Sequence, residues 1–255
     1  MLGVGLVVLV AAAGPGERVV KLPAFHAVEL ATDAMLTVEA APAAGLVLRG
    51  DPRLVRCVTA EVRDGRLLIG WAARVPPAGS ARSEGADIIV EARSGCPRTS
   101  SAAGLSILAT APAIDDVVLR TRGTVRVAPM RVPTFAARLA GRGTMALAGL
   151  EAGATRIEIG GIGRIAASGA LGQLAVTIGG DGRVDTSAAR ATALRVNIAG
   201  KGTVAAQVDG PATGTVAGSG IVTVGGRPDC AIRITGRGRI DCRPSWRWRS
   251  ARSRS

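Results

Sequence analysis

A Gly-X-Gly triplet recurs through the second half of the chain at a spacing that an isolated loop motif would not keep. The first glycines are Gly141, Gly161, Gly180, Gly200, Gly218 and Gly236, at intervals of 20, 19, 20, 18 and 18 residues. Their partners are Gly143, Gly163, Gly182, Gly202, Gly220 and Gly238. Two residues before each first glycine stands an aliphatic side chain: Leu139, Ile159, Ile178, Ile198, Val216, Ile234. Four residues after each stands another: Met145, Ile165, Val184, Val204, Val222, Ile240. A weaker set, Ala137, Ile157, Val176, Val196, Gly214 and Ile232, lies four before. A degenerate copy around Thr121, with Val117, Leu119, Gly123 and Val125 at matching offsets, makes seven units.

Apolar positions two apart on both sides of a glycine corner have the period of a strand with one buried face. Each unit reads as strand, corner, strand, then a small-residue turn such as "AGLEAGA" or "DGPA". A unit of about twenty residues cannot bury its own apolar face and must stack on a neighbour. The expected fold is therefore all-β: a single-domain β-solenoid, parallel-β-helix-like, with like positions about 4.8 Å apart from rung to rung. Glycine suits such corners because it reaches positive φ and tolerates close backbone approach. The alternative is an antiparallel β-sandwich or barrel in which the corners become hairpin loops.

Composition agrees with a narrow interior. The chain has two Phe, three Trp and no Tyr in 255 residues, so Ala, Val, Leu and Ile must fill the core. From Val19 to Ile114 the pattern loosens into irregular strands, with no helix expected outside the leader and exposed loops over Arg74–Ala86 and Arg93–Gly104. The regular repeats span 115–242, giving one domain over 19–242. Residues 1–13 read as a signal peptide: an apolar run from Leu2 to Ala13, a small-residue Ala11-X-Ala13 cleavage site, but no positive n-region. No Cys follows to carry a lipid anchor, and no transmembrane helix is expected after cleavage.

The formal charge of +13 raises nucleic acid or an anionic surface as partners. Most arginines are scattered singly, which reads as a solvated face with no specific nucleic-acid site. The exception is the basic tail, 243–255, read as disordered, with five Arg and no acid. Within it Arg243, Trp246, Arg247, Trp248 and Arg249 are candidates for contact with an anionic surface.

Other motifs reduce to structural readings. At Gly161-Ile-Gly163 the third glycine of a dinucleotide fingerprint is Ala166 and no helix follows. Gly179-Gly180-Asp181-Gly182 approaches a calcium repeat, but Asp185 falls one place late, so Asp181 and Asp185 read as turn residues. No cofactor or metal is implied. Asp115-Asp116, the adjacent Asp pair, should point to opposite faces of a strand and not converge for acid–base work. His26 is the single histidine, with no nucleophile placed beside it, and reads as a strand-end polar residue. Arg49-Gly50-Asp51 reads as a turn.

Cys230 and Cys242 lie six before and six after Gly236 with the inward parity of Ile232, Ile234 and Ile240, and are expected to form a disulfide that staples the last coil. Cys57 and Cys96 are 39 apart, about two rungs. That separation, near 9.6 Å in a regular stack, is beyond disulfide reach, so they pair only if the N-terminal half is irregular.

The opening "LPAFHAVELATDAMLTVEAAPAAGLVLRGDPRLVRCVTAEVRDGRLLIG", followed by repeated I-X-G-X-G-X-V corners, resembles the family described as putative auto-transporter adhesin, head GIN domain, over Val19 to Cys242. The resemblance implies an exported, all-β, solenoid-like protein of the bacterial envelope, resident in periplasm or at the cell surface, and carries over no catalytic residues. This chain departs from the commoner Gly-Ser-Gly corner, having Arg, Ile, Asp or Lys at the middle position in most units. The reading is a non-enzymatic structural or adhesin-like surface that meets an envelope polyanion or a protein, compatible with a homo-oligomer. The alternatives are polyanion or membrane-surface binding through the tail, and an enzyme acting on envelope polysaccharide.

Overall fold

Each repeat becomes one rung of a parallel stack, and rung follows rung with near residue-for-residue register. The structure, a computed structural model, describes residues 10–11, 16–71, 88–89, 96 and 104–243. The chain begins with β1 (Val10–Ala11), β2 (Glu17–Lys21), β3 (Ala27–Leu30), β4 (Met35–Ala40) and β5 (Gly45–Arg49). Then come α1 (Pro52–Val55), β6 (Val58–Arg63), β7 (Arg66–Trp71), β8 (Ile88–Ile89) and β9 (Ser106–Ala111). The stack continues with β10 (Asp116–Leu119), β11 (Arg122–Val127), β12 (Met130–Leu139) and β13 (Arg142–Ile159). It ends with β14 (Ile162–Ile178), β15 (Asp181–Ile198), β16 (Lys201–Val216), β17 (Ile221–Ile234) and β18 (Arg239–Cys242).

The fold is a β-solenoid of about six turns, not a barrel. Leu139 pairs with Ile159, Ile159 with Ile178, Ile178 with Ile198, Ile198 with Val216 and Val216 with Ile234. The column from Met145 to Ile240 is equally direct. Both run on into the base, through Leu119, Leu30 and Ile69 on one side and Val125, Leu36 and Ile107 on the other. One continuous aliphatic core results, with the aromatic Phe25, Trp71 and Phe135 buried beside it.

Antiparallel pairing, the expected alternative, is confined to the N-terminal base. There β5 pairs antiparallel with β2 and β9, and β6 with β7 and β8, beneath the first full rung formed by β3 and β4. Hairpins at the foot of the stack pair the edge that a parallel coil would leave open. The base also holds α1, which sequence reading did not expect: Asp51 caps it by accepting from Arg53 N at 2.8 Å, and Pro52 opens it. Irregularity here lets Cys57 and Cys96 form a disulfide with Cα atoms 5.6 Å apart.

Two expectations about turns need correction. The small-residue segments stay within the ladder: β13, β14 and β15 run unbroken from corner to corner and bend at register shifts such as Leu147/Leu150. Within the long strands β13 to β17 positive φ occurs at Gly149, Gly169, Gly172, Gly210, Gly214 and Gly226, and at no first glycine of a corner. Of the two reasons expected for the corner glycines, close approach is the one that holds. Gly141 O accepts a hydrogen bond from Ile162 N at 3.0 Å, and a Cβ on Gly161 would lie 2.0 Å from that same oxygen. The second glycines leave room for the inward column: a Cβ on Gly202 would meet Ile198 and Ile178 at 2.9 and 3.0 Å.

Candidate functional site on the outer faces of the stack

Because the core columns beside the corners are straight, the outward positions between them form straight rows as well. On the face before the corner, the row five positions ahead runs Asp116, Ala136, Arg156, Ala175, Arg195, and the row three ahead runs Val118, Arg138, Glu158, Thr177, Asn197. Charges alternate and pair. Arg66 donates to Asp116 at 2.8 Å, Arg138 bridges Asp116 at 2.8 Å and Glu158 at 3.1 Å, and Arg156 also holds Glu158. Five side chains of alternating sign thus tie four levels of the stack together. Arg66, Arg138 and Arg156 thus form a paired network with Asp116 and Glu158, while Arg195 of the same face stands outside it.

A groove of about 680 Å³ runs up the same side. Phe135, Thr155, Leu174 and Leu194 stand one above another along it. Arg156 and Arg195 flank them, and Asp115 and Asp116 border the lower part. Both aspartates therefore reach one groove, contrary to strict strand alternation, because Asp115 precedes β10 and is not bound by its pleat. They are engaged by different partners: Asp115 by His26 Nδ1 at 3.1 Å, Asp116 by the two guanidiniums. A carboxylate holding two guanidiniums serves as a counter-ion. Thr155, 2% exposed, brings a hydroxyl into an otherwise apolar column, and its oxygen has no hydrogen-bond partner.

The remaining acids hold backbone and neighbours. Asp185 accepts from Ser187 Oγ at 2.6 Å and from Ser187 N at 3.3 Å, and these bonds, helped by Arg183, hold its carboxyl below the usual range. Asp209 is lowered in the same direction by its bond from Arg227 of the next rung. The Glu29 carboxylate pushes the Arg120 guanidinium further up. Arg49 is held by Glu17 at 3.0 Å while Asp51 caps α1, so Arg49-Gly50-Asp51 is built into the base.

Cys230 and Cys242 are joined, with Cα atoms 6.6 Å apart. Their surroundings differ from the expected enclosed interior. Cys230 is exposed, Cys242, Ile232 and Ile240 are half-buried, and Ile234 is 43% exposed, because this rung has no described residue above it. Of the tail candidates, Arg243 pairs with Asp241 at 2.7 Å. Trp246, Arg247, Trp248 and Arg249 lie outside the described residues, as do the expected loops over 74–86 and 93–104 (Cys96 and Gly104 excepted) and the expected signal segment 1–13 except Val10 and Ala11, which pair with β2. Among the described residues no His/Cys/Asp/Glu cluster could hold a metal, and no helix is long and apolar enough to cross a membrane.

A disulfide-stapled β-solenoid on an antiparallel base, presenting registered rows of side chains, is the class of protein these features define. The chain belongs to the family described as "Putative auto-transporter adhesin, head GIN domain", whose pattern matches residues 24–228. Its fold is similar to the crystal structure of a putative adhesin from Bacteroides fragilis (TM-score 0.72, 16% identity, 89% of this chain and 96% of that one). It is also similar to a structure from Parabacteroides distasonis called a putative lipid binding protein (TM-score 0.63, 14% identity, 89% and 96%). A putative adhesin from Parabacteroides merdae aligns comparably (TM-score 0.60, 14% identity, 89% and 95%). Among curated proteins none matches the chain.

Proposed function

We propose that this protein is an exported, non-enzymatic surface scaffold of the bacterial envelope, resident in periplasm or at the cell surface, that binds in the manner of an adhesin by presenting a rigid array. The observation that carries this reading is the register. Along the strands that flank the corners, rungs pair residue for residue over an aliphatic core, so outward side chains there hold fixed spacing. Weak contacts repeated along such a face add through high effective concentration. Pairing of Asp116 with Arg66 and Arg138 supports a passive role for the carboxylates nearest the groove. Two disulfides using all four cysteines support an oxidising compartment.

The test is co-sedimentation of the purified protein with isolated bacterial cell envelopes. Saturable pelleting without release of soluble fragments is expected. Absence of pelleting would remove the adhesive role, and release of new reducing ends would make the protein an enzyme.

A second reading attaches to the groove. The groove, whose floor is backed by the buried Phe135, Leu174 and Leu194 and whose side carries the exposed Arg156 and Arg195, two rungs apart, suits an acyl chain with an anionic head. The similar fold from Parabacteroides distasonis carries a lipid-binding name. Displacement of a fluorescent fatty acid by unlabelled lipid, weakened in the surface variant Arg156→Gln/Arg195→Gln, is the expected result; a wild-type protein that leaves the probe unquenched ends this reading.

A further inference from the structure

The corner itself carries a second population of arginines. The positions directly after the first and second corner glycines form two adjacent outward rows. In five successive rungs these rows hold one cation each: Arg122, Arg142, Arg164, Arg183 and Lys201. Arg122 pairs in register with Arg142, and Arg164 with Arg183. All five are exposed, and only Arg183 has an ion pair, a long one of 3.7 Å to Asp185. Asp181 is the single acid in these rows over the five rungs. The face before the corner ties Arg66, Arg138 and Arg156 into ion pairs, whereas four of the five corner cations have none among the described residues. At about 4.8 Å per rung they line an edge of roughly 19 Å.

Beside the upper four rungs of this edge, and one rung beyond, lies a strip almost without side chains, Ala140, Gly160, Gly179, Ala199 and Ala217, all exposed, with Arg120, paired to Glu29, at its foot. The fold explains the next glycines, Gly161 and Gly180, whose Cβ atoms would strike the rung below at 2.0 and 2.2 Å. It does not require Gly160 or Gly179, where an added Cβ meets nothing within 4 Å and φ is not positive. A cationic row flanked by a bare strip is a track open to the backbone of another polymer.

We infer that the glycine corner is the docking edge for a linear polyanion, an acidic or sulfated polysaccharide lying along the stack axis and crossing the rungs. The inference rests on the adhesin-like reading and names its ligand class. A track one or two side chains wide fits a chain better than a flat bilayer, which would engage a broad face. The rows contain no aromatic residue on which nucleic-acid bases could stack.

The test measures binding of the full chain to heparin at about 0.15 M salt, where surface charge is partly screened. The triple variant Arg142→Gln/Arg164→Gln/Arg183→Gln is expected to weaken binding tenfold or more. A charge-matched control, Arg190→Gln/Arg195→Gln/Arg233→Gln, changes exposed arginines off the corner and should weaken it less than threefold. Gly160→Leu/Gly179→Leu should leave the melting temperature unchanged and still weaken binding. Equal losses in the two triple variants would overturn the inference in favour of diffuse charge. Loss only on deletion of residues 244–255 would assign binding to the tail, and unaltered binding in the double leucine variant would remove the track. Tighter binding to vesicles containing phosphatidylglycerol, abolished by the corner variant, would replace the polysaccharide with a membrane. If the wild type ignores heparin yet pellets with envelopes, this inference fails alone; if it does neither, the adhesin-like reading fails with it.

Discussion

A methyl group added at Gly161 would sit 2.0 Å from the carbonyl oxygen of Gly141, while one added at its neighbour Gly160 would meet nothing within 4 Å. The two glycines are adjacent and identical in composition, yet only one is required by the stack. Gly161→Ala must push apart two rungs joined by the Ile162 N to Gly141 O bond and is expected to cost about 3 kcal/mol or more. Gly160→Ala should change stability by less than about 0.5 kcal/mol. Urea denaturation of both variants checks the pair; equal costs would mean that closeness is not what the corner glycine supplies. A second residue-scale expectation concerns Asp185. The Ser187 hydroxyl and then the Ser187 amide and Arg183 lower its folded carboxyl pKa. Its contribution is therefore complete above the ordinary aspartate value near ~3.9 and is lost as pH falls through the lower folded value. Asp185→Asn should flatten the acid limb of a melting-temperature profile while lowering stability at neutral pH. An acid limb identical to wild type would show that this pairing contributes nothing. At this scale the sequence offered two reasons for the corner glycines, and the structure keeps one: close backbone approach holds at Gly161 and Gly180, whereas positive φ is absent, because where the neighbouring carbonyl lies is not written in the period.

The elements differ in how much of their environment is local. β13 to β16 were legible because each repeats its neighbour's pattern, so one apolar period, read six times, fixes strand, corner and column together. The base was not. Its strands pair across long sequence separations, Val28 with Leu67 and Leu36 with Ile107, and alternation alone does not choose a partner. The signal for α1, an Asp-Pro opening at Asp51-Pro52, was present but is only four residues deep. The outward rows were invisible for a different reason: arginines twenty residues apart look scattered until the register places them side by side. The last rung shows the same dependence on position. With Ile234 43% exposed it has one neighbour where interior rungs have two, and the Cys230–Cys242 bridge constrains a short loop at this weak end. Closing such a loop restrains the unfolded chain by about 3 kcal/mol in the entropy model, but in a one-dimensional stack the gain is local. Cys230→Ser/Cys242→Ser should therefore speed amide hydrogen exchange in residues 221–242 while leaving β13 and β14 protected. Uniform loss of protection along the chain would mean that the terminal rung governs the whole stack.

For the whole molecule, translation along one axis is the organising operation, and a fold built by translation should tolerate removal of one step. Residues 161–179 are one full period, and deleting them joins Gly160 to Gly180, which recreates a Gly-Gly corner followed by Asp181-Gly182. The rungs brought together are better matched than those they replace. β13 and β15 are both 18 residues long, whereas β14 has 17 and forces the register shifts on either side of it. Ile159 would rest on Ile198, Ile157 on Val196 and Met145 on Val184, so each column keeps its aliphatic character. The shortened chain is expected to fold cooperatively with native-like β circular dichroism and both disulfides formed. Deleting residues 161–170 instead removes a corner and half a rung, sets Ile178 under no aliphatic partner, and should give insoluble or molten protein. The comparison isolates translation from mere length, since the fold would survive the larger deletion and not the smaller one. The shortened protein also loses Arg164 but no other cation of the corner rows, so its polyanion track becomes one rung shorter with the remaining charges in line. Heparin affinity should then fall modestly, far less than in the triple arginine variant, because a ligand that reads a repeating edge senses its length and charge count, not the identity of any one rung.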